Sequence, residues 1–111
     1  MDTLTQLRAA NTERFEAWAG HPNSVDDALF NATELGGECG ELLNIVKKLH
    51  RAAKGWKGSA ATVQDLADEA ADVIICVDKL VAPFGIDLRD AVVRKFNAAS
   101  EKNGFPHRMN P

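Results

Sequence analysis

Apolar residues recur at helical intervals in the second quarter of the chain. Leu35, Cys39, Leu42, Val46 and Leu49 follow one another at spacings of 4, 3, 4 and 3 residues, so they lie on one face of an α-helix. No long stretch alternates apolar and polar residues with the period of two that is typical of a half-buried strand. The pattern therefore predicts an all-α protein.

Glycine and proline residues interrupt the helical pattern and divide the chain into four predicted helices. The helices are predicted over residues 3–19, 25–54, 63–81 and 88–102. Ser24, Thr62 and Asp87 stand where N-cap residues of the last three would lie. Because the connecting loops are short, we expect a four-helix bundle with antiparallel neighbours, forming a single domain over residues 1–111.

Three glycines, Gly36, Gly37 and Gly40, lie inside the second predicted helix. Each costs about 1 kcal/mol relative to alanine in a helix interior. One interpretation is that two shorter helices meet at this point. We favour a single helix whose backbone packs closely against another helix or a ligand.

Length, charge and hydropathy together indicate a single-domain protein that neither binds nucleic acid nor spans a membrane. A chain of 111 residues suffices for one core, and a net charge of −3 does not indicate a nucleic-acid surface. Residues 1–10 are polar, unlike a signal peptide, and the longest apolar run, 73–77, is too short to span a bilayer. Cys39 and Cys76 have no metal-binding spacing, so we expect reduced thiols in a cytoplasmic protein that does not bind membranes.

Two pairs of carboxylates stand at a spacing of three residues. Glu38 and Glu41 form an ExxE motif on the second predicted helix, and Glu69 and Asp72 form an ExxD motif on the third. This spacing puts the members of each pair on one helix face, with their Cβ atoms about 5–6 Å apart. Glu34 lies one turn before Glu38 and extends the same acidic stripe.

The acidic pairs adjoin apolar stripes, where unpaired carboxylates are costly. Asp72 interrupts an apolar run that predicts a buried helix, and grouped carboxylates raise one another's pKa values. Mg²⁺, or Mn²⁺ in its place, would remove the conflict because it takes oxygen ligands and works with substrate phosphates. The alternative is that both motifs lie on solvated helix faces. A di-iron bundle is disfavoured because no histidine follows a glutamate at the Glu-x-x-His spacing.

Basic and aromatic residues follow the acidic motifs and are candidates for contacts to phosphates and to a base. The candidates that we draw from this pattern are Lys48, Arg51, Lys54, Trp56, Lys95 and Lys102. Trp18 and Phe30 are further candidates for stacking on a base. The alternative is that the cations cover a solvated face and the helix C-termini, and that the aromatic residues belong to the core.

Residues 34–42, residues 68–73 and the basic segment 94–106 resemble the motifs of the MazG-like all-α nucleoside triphosphate pyrophosphohydrolase family. The resemblance implies Mg²⁺-dependent cleavage between the α and β phosphates of a nucleoside triphosphate, deoxy forms included, giving the monophosphate and pyrophosphate. It implies that Glu38, Glu41, Glu69 and Asp72 bind the metal. It further implies phosphate contacts near Lys95 and Asn97, and a homodimer or homotetramer with sites near the subunit interface.

The sequence leaves several choices open. Glu38, Glu41 and Glu34 are all candidates for orienting the attacking water. A related helical enzyme acting on phosphoribosyl-ATP, and a non-catalytic helical interaction module, are the alternative functions. The preference for base and sugar depends on pocket walls that several helices contribute.

Overall fold

The computed structural model describes residues 1–111, and every regular element in it is helical. The four α-helices are α1 (Thr3–Ala19), α2 (Ala28–Ala53), α3 (Val63–Val81) and α4 (Leu88–Lys102). The predicted all-α class is therefore confirmed, and α1, α3 and α4 have the predicted bounds. None of the four helices combines the length and the hydropathy needed to cross a bilayer. Both cysteines are free thiols, as expected.

The start of α2 differs from the prediction of a helix over residues 25–54. Val25–Asp27 form a 3-10 turn, and the α-helix begins at Ala28 and ends at Ala53. Ser24 and Asp27 exchange side-chain and backbone hydrogen bonds in a capping box. Such a tight reciprocal cap closes the first turn on i to i+3 bonds, which are common at helix N-termini.

The three glycines do not interrupt α2, so the interpretation of two shorter helices is wrong. The helix runs through Gly36, Gly37 and Gly40 without a break. A Cβ atom added at any of them would have no other heavy atom within 4 Å. Their small size is therefore not used by packing within this chain.

Helix α3 is central and packs against both α1 and α2. Asn11 of α1 bonds to the carbonyl of Ile75, whereas Arg8, one turn earlier, bonds to Asp78, so α1 and α3 are antiparallel. Helices α2 and α3 are antiparallel as well, since the side chain of Glu34 meets Cys76 and Lys79 near the end of α3. Helix α4 packs against α1.

A buried polar cluster joins α1, α3 and the turn before α4. The Asp78 side chain is 1% exposed and accepts hydrogen bonds from Arg8 Nε at 3.0 Å and from Asn11 Nδ2 at 3.1 Å. The Arg8 guanidinium also donates to the carbonyl of Ile86 at 2.7 Å. Both carboxylate oxygens are thus satisfied, as a buried charge requires.

The single chain leaves much apolar surface uncovered. Phe15 and Cys76 are its only buried hydrophobic residues, while Leu29 and Leu43 on α2 are 81% and 67% exposed. The accessible surface is 7804 Å², about 1,800 Å² more than a compact protein of this mass exposes. The radius of gyration is 17.1 Å, compared with about 13 Å for a compact domain of this length. One chain alone therefore does not close a compact bundle.

The Arg8–Asp78 pair yields a test of what holds the helices together. We expect Arg8→Met to lower the free energy of unfolding by roughly 3 kcal/mol, because it leaves a buried carboxylate with half its partners. Urea denaturation measures the loss. Arg89→Met is the matched control, since Arg89 makes only a 3.5 Å surface contact to Asp2 and its loss should change little. Equal effects of both changes would contradict the structural role of the cluster.

Candidate metal centre

Three of the predicted metal ligands meet where α2 faces α3. Carboxylate oxygens of Glu38, Glu41 and Glu69 all lie within 4.8 Å of one another. Glu38 and Glu69 are half-buried, and Glu41 is exposed at the edge of the cluster. The antiparallel packing of the two helices thus brings the ExxE motif against the ExxD motif.

Burial and mutual repulsion act on the two inner carboxyls. Burial raises the pKa of Glu38 above its ordinary value, and the charges of Glu41 and Asp72 raise it further. Burial likewise raises the pKa of Glu69, with Glu41 and Asp72 adding to the shift. No cation of the chain forms a salt bridge with either group. The protein therefore keeps several negative charges together without neutralising them.

Two shielded oxygen atoms fit a bound cation. Glu38 Oε2 and Glu69 Oε2 are inaccessible to solvent, yet neither has a hydrogen-bond partner. Buried carboxylate oxygens in folded proteins are nearly always paired or bound to a metal. Oxygen-only ligands, converging from two helices and leaving room for water, match what Mg²⁺ or Mn²⁺ requires. The residues present thus fit the expected metal.

Asp72 adjoins the cluster but is exposed, so the expectation of a buried Asp72 is wrong. Asp72 lines the open cavity between α1, α2 and α3, where no side chain covers it enough to bury it. Apolar periodicity does not reveal this, because it cannot tell how many neighbours a helix has. Asp72 still lies close enough for its charge to raise the pKa of both Glu38 and Glu69.

Glu34 lies beside the acidic cluster but is held by other partners. Its Oε1 atom accepts hydrogen bonds from Lys79 Nζ and, at 3.7 Å, from Cys76 Sγ. Burial, followed by the charge of Glu34, raises the pKa of the Cys76 thiol to about 11. Glu34 is also not among the three carboxylates that share the candidate ligand positions. The structure therefore separates Glu34 from the group that would hold the metal.

A cavity of about 360 Å³ opens next to the carboxylates, between α1, α2 and α3. Its volume falls within the range of small-ligand sites. Glu38 and Asp72 form its acidic side, and Phe15 and Trp18 of α1 form an aromatic side. Arg14, Asn11, Ile75 and Lys79 are further lining residues.

Three residues that line the cavity were not predicted from the sequence as candidate site residues: Asn11, Arg14 and Lys79. Lys79 had a detectable signal, because it follows the apolar run 73–77 of the third predicted helix and a cation buried in such a helix needs a partner. Asn11 and Arg14 had none, because α1 carries no motif. Trp18 was a candidate for stacking and does line the cavity.

The predicted substrate contacts at the end of α2 lie away from this cavity. Arg51 donates to the carbonyl of Ser59 at 2.8 Å, and Trp56 packs edge-on against His50. Ten residues of helix separate Arg51 from Glu41, which corresponds to about 15 Å. Arg51 and Trp56 therefore order the loop after α2, and Lys54 is exposed beside them.

Lys48 is nearer to the acidic cluster than Arg51 is. Hydrogen bonds from Thr62 lower the pKa of Asp65, and the positive charge of Lys48 assists them. Lys48 thus lies over the first turn of α3, one helical turn before Glu69.

The predicted contacts on α4 are not brought to the cavity within one chain. Asn97 exchanges two hydrogen bonds with the backbone of Met109, at 2.9 and 2.7 Å, and so fastens the C-terminal segment to α4. Lys95 and Lys102 are exposed on the same helix. Helix α4 packs against α1, and none of these three residues lines the cavity of the single chain.

Comparison with known proteins finds no match: no family model, no curated protein and no solved structure is significantly similar to this chain. The function therefore has to be inferred from the geometry and chemistry of the site.

The raised pKa values predict how metal-free stability depends on pH. Because Glu38 and Glu69 bind protons more tightly in the folded protein than in the unfolded chain, the free energy of unfolding falls as pH rises through their folded pKa values. In EDTA we expect a higher melting temperature at about pH 5 than at about pH 7. Glu69→Gln should weaken this dependence and raise the melting temperature at the higher pH. Glu101→Gln, on the exposed end of α4, is the control. An unchanged pH dependence in Glu69→Gln would argue against a strained acidic cluster.

Proposed function

We propose that this chain is a Mg²⁺-dependent nucleoside triphosphate pyrophosphohydrolase of the MazG-like type. The observation that supports it most is the pair of shielded, unpartnered oxygens on Glu38 and Glu69, beside a cavity with an aromatic side. A structural role for the cluster would require partners for those oxygens. A phosphate substrate carried with a divalent cation accounts for both the acidic and the aromatic side.

Glu38, Glu41 and Glu69 would hold the metal, with Asp72 completing the negative edge. When bound, Mg²⁺ supplies neutralisation of the charge that develops on the phosphate oxygens. Glu41 is the exposed member of the cluster and is the carboxylate best placed to accept a proton from the attacking water. Glu34 is a poorer candidate for that role because Lys79 and Cys76 occupy one of its oxygens.

The cavity would receive the nucleoside part of the substrate. Trp18 is 68% exposed and offers an open ring face for a base to stack on. Arg14 is exposed at the same cavity and makes no salt bridge within the chain, so its guanidinium is free to contact a phosphate. These positions orient the triphosphate toward the carboxylates of α2 and α3.

A second copy of the chain is the proposed partner, and it would cover α2. Leu29, Gly36, Gly40 and Leu43 recur at helical spacing and form one open face of that helix, which we call the glycine face. A specific interface needs about 800 Å² from each partner, and the surplus exposed surface of about 1,800 Å² exceeds this. Glycines permit two helices to approach closely, and such an approach would offset their cost to the helix.

The proposed reaction predicts pyrophosphate release that depends on a divalent metal. We expect release from one or more of the four NTPs, the four dNTPs and dUTP with Mg²⁺ or Mn²⁺, and none with EDTA. Glu41→Gln and Asp72→Asn should lower kcat/KM by more than about a hundredfold. Glu101→Gln serves as the control. Pyrophosphate release from phosphoribosyl-ATP alone would reject nucleoside triphosphates as the substrates and favour the alternative enzyme function. If no substrate of the panel releases pyrophosphate and the melting temperature does not rise on adding metal, a non-catalytic module is favoured.

The glycine face predicts a variant that folds but does not associate. Gly36 is exposed and a Cβ at this position meets no neighbouring element within 4 Å, so the side chain of Gly36→Leu extends into solvent in the single chain, and the change removes a weak helix former. Sedimentation velocity should show the unaltered chain as a dimer or larger and the Gly36→Leu variant as a smaller species. Glu101→Leu on α4 is a control of similar size. A monomeric unaltered chain, or an assembly that tolerates Gly36→Leu, would contradict the proposed interface.

A further inference from the structure

Lys79 of α3 and Glu34 of α2 form an ion pair inside the cavity wall. The Lys79 side chain is only 14% exposed, and its ammonium group donates a hydrogen bond to Glu34 Oε1. The same ammonium lies 5.8 Å from the centre of the Phe30 ring. The pair thus stands at the cavity, next to the aromatic side chains and apart from the three clustered carboxylates.

Helix packing alone does not account for this pair. Partly burying two charges costs part of their hydration, and apolar residues of similar size often join helices equally well or better. Cys76 adds a further hydrogen bond to the same Oε1 atom of Glu34. These contacts fix the orientation of a carboxylate on the cavity wall.

The pair keeps unused hydrogen-bonding capacity on the cavity side. A lysine ammonium has three donors, and Lys79 uses one of them on Glu34. Glu34 Oε2 accepts no hydrogen bond from the chain, since both bonds to this carboxylate go to Oε1. The wall therefore presents donors and a charged acceptor side by side.

We propose that Glu34 and Lys79 determine base specificity by binding the edge of a nucleobase that carries a ring N–H beside a carbonyl group. This inference rests on the proposed function, because it takes the cavity beside the carboxylates as the nucleoside site. Glu34 Oε2 accepts from the ring N–H, and Lys79 donates to the carbonyl oxygen. Trp18, stacked on Phe30 with ring centres 5.5 Å apart, supports the base from its face.

The chemistry of the pair favours guanine and thymine or uracil over adenine and cytosine. A ring N–H next to a carbonyl is a stronger donor to a carboxylate than an exocyclic amino group is. A carbonyl oxygen has two lone pairs and accepts from a flexible ammonium over a broad range of directions. The unprotonated ring nitrogen of adenine or cytosine has a single in-plane lone pair, which demands tighter alignment.

The test is the binding of 2′-deoxynucleoside 5′-monophosphates to the full chain in EDTA, measured by ligand-detected NMR. We expect the guanine and thymine nucleotides to bind roughly tenfold more tightly than those of adenine and cytosine. Lys79→Met keeps the apolar stem and removes the donors, so the preference should disappear. Glu34→Gln keeps the shape and offers an amide that pairs with either kind of edge, so the preference should shrink. Lys47→Met and Glu101→Gln, both at exposed positions away from the cavity, should leave the preference intact.

Because the assay needs neither metal nor turnover, it separates this inference from the proposed reaction. Base preference lost in Lys79→Met, without pyrophosphate release from any substrate, would keep the specificity pair and reject the hydrolase. Pyrophosphate release with equal binding of all four bases, or with a preference that survives both variants, would reject the pair and keep the hydrolase. Circular dichroism and the melting temperature check that each variant is folded, and Glu34→Gln remains informative if Lys79→Met is not.

Discussion

Asp78 ties three parts of the chain together through one nearly inaccessible carboxylate. Arg8 and Asn11 of α1 bond to its two oxygens, and the same Arg8 reaches the carbonyl of Ile86 in the turn before α4. Phe15 and Cys76 are the only hydrophobic residues that are fully buried within one chain. The relative positions of α1, α3 and α4 therefore depend on this polar cluster, and the cavity between α1, α2 and α3 depends on those positions.

The acidic cluster between α2 and α3, unlike the satisfied Asp78 carboxylate, lowers the stability of the folded chain when its carboxylates are charged. Glu38 and Glu69 are held against their own desolvation and against the charges of neighbouring carboxylates. Local features that reduce stability concentrate at functional sites, because there the strain is relieved by a ligand. The ion pair of Glu34 and Lys79 shows the contrast, since one cation placed three residues after Cys76 neutralises the neighbouring glutamate. The chain thus supplies a cation to Glu34 beside the cluster but none to Glu38 or Glu69.

The glycine face of α2 and the large exposed surface both show that one side of α2 has no neighbour within the chain. Gly36 and Gly40 reduce the helix propensity of α2, and no contact within the chain offsets that cost. Surfaces of this kind are stabilised by another molecule that removes them from water. The proposed second copy would cover the exposed leucines, and it would also offer a route by which cations on α4, which do not line the cavity in one chain, approach the proposed substrate.

The sequence by itself determined the helices and the two acidic motifs. Local signals sufficed: capping residues such as Thr62, apolar periodicity, and carboxylates at a spacing of three that must share a helix face. Only the tertiary structure decided which side chains meet. In the folded chain Asp72 is exposed, Glu34 pairs with Lys79, and Asn97 bonds to the backbone of Met109. Each of these outcomes depends on contacts that the local sequence pattern does not contain. Periodicity identifies a face of a helix, but the number and angle of its neighbours decide whether that face is buried, paired or open.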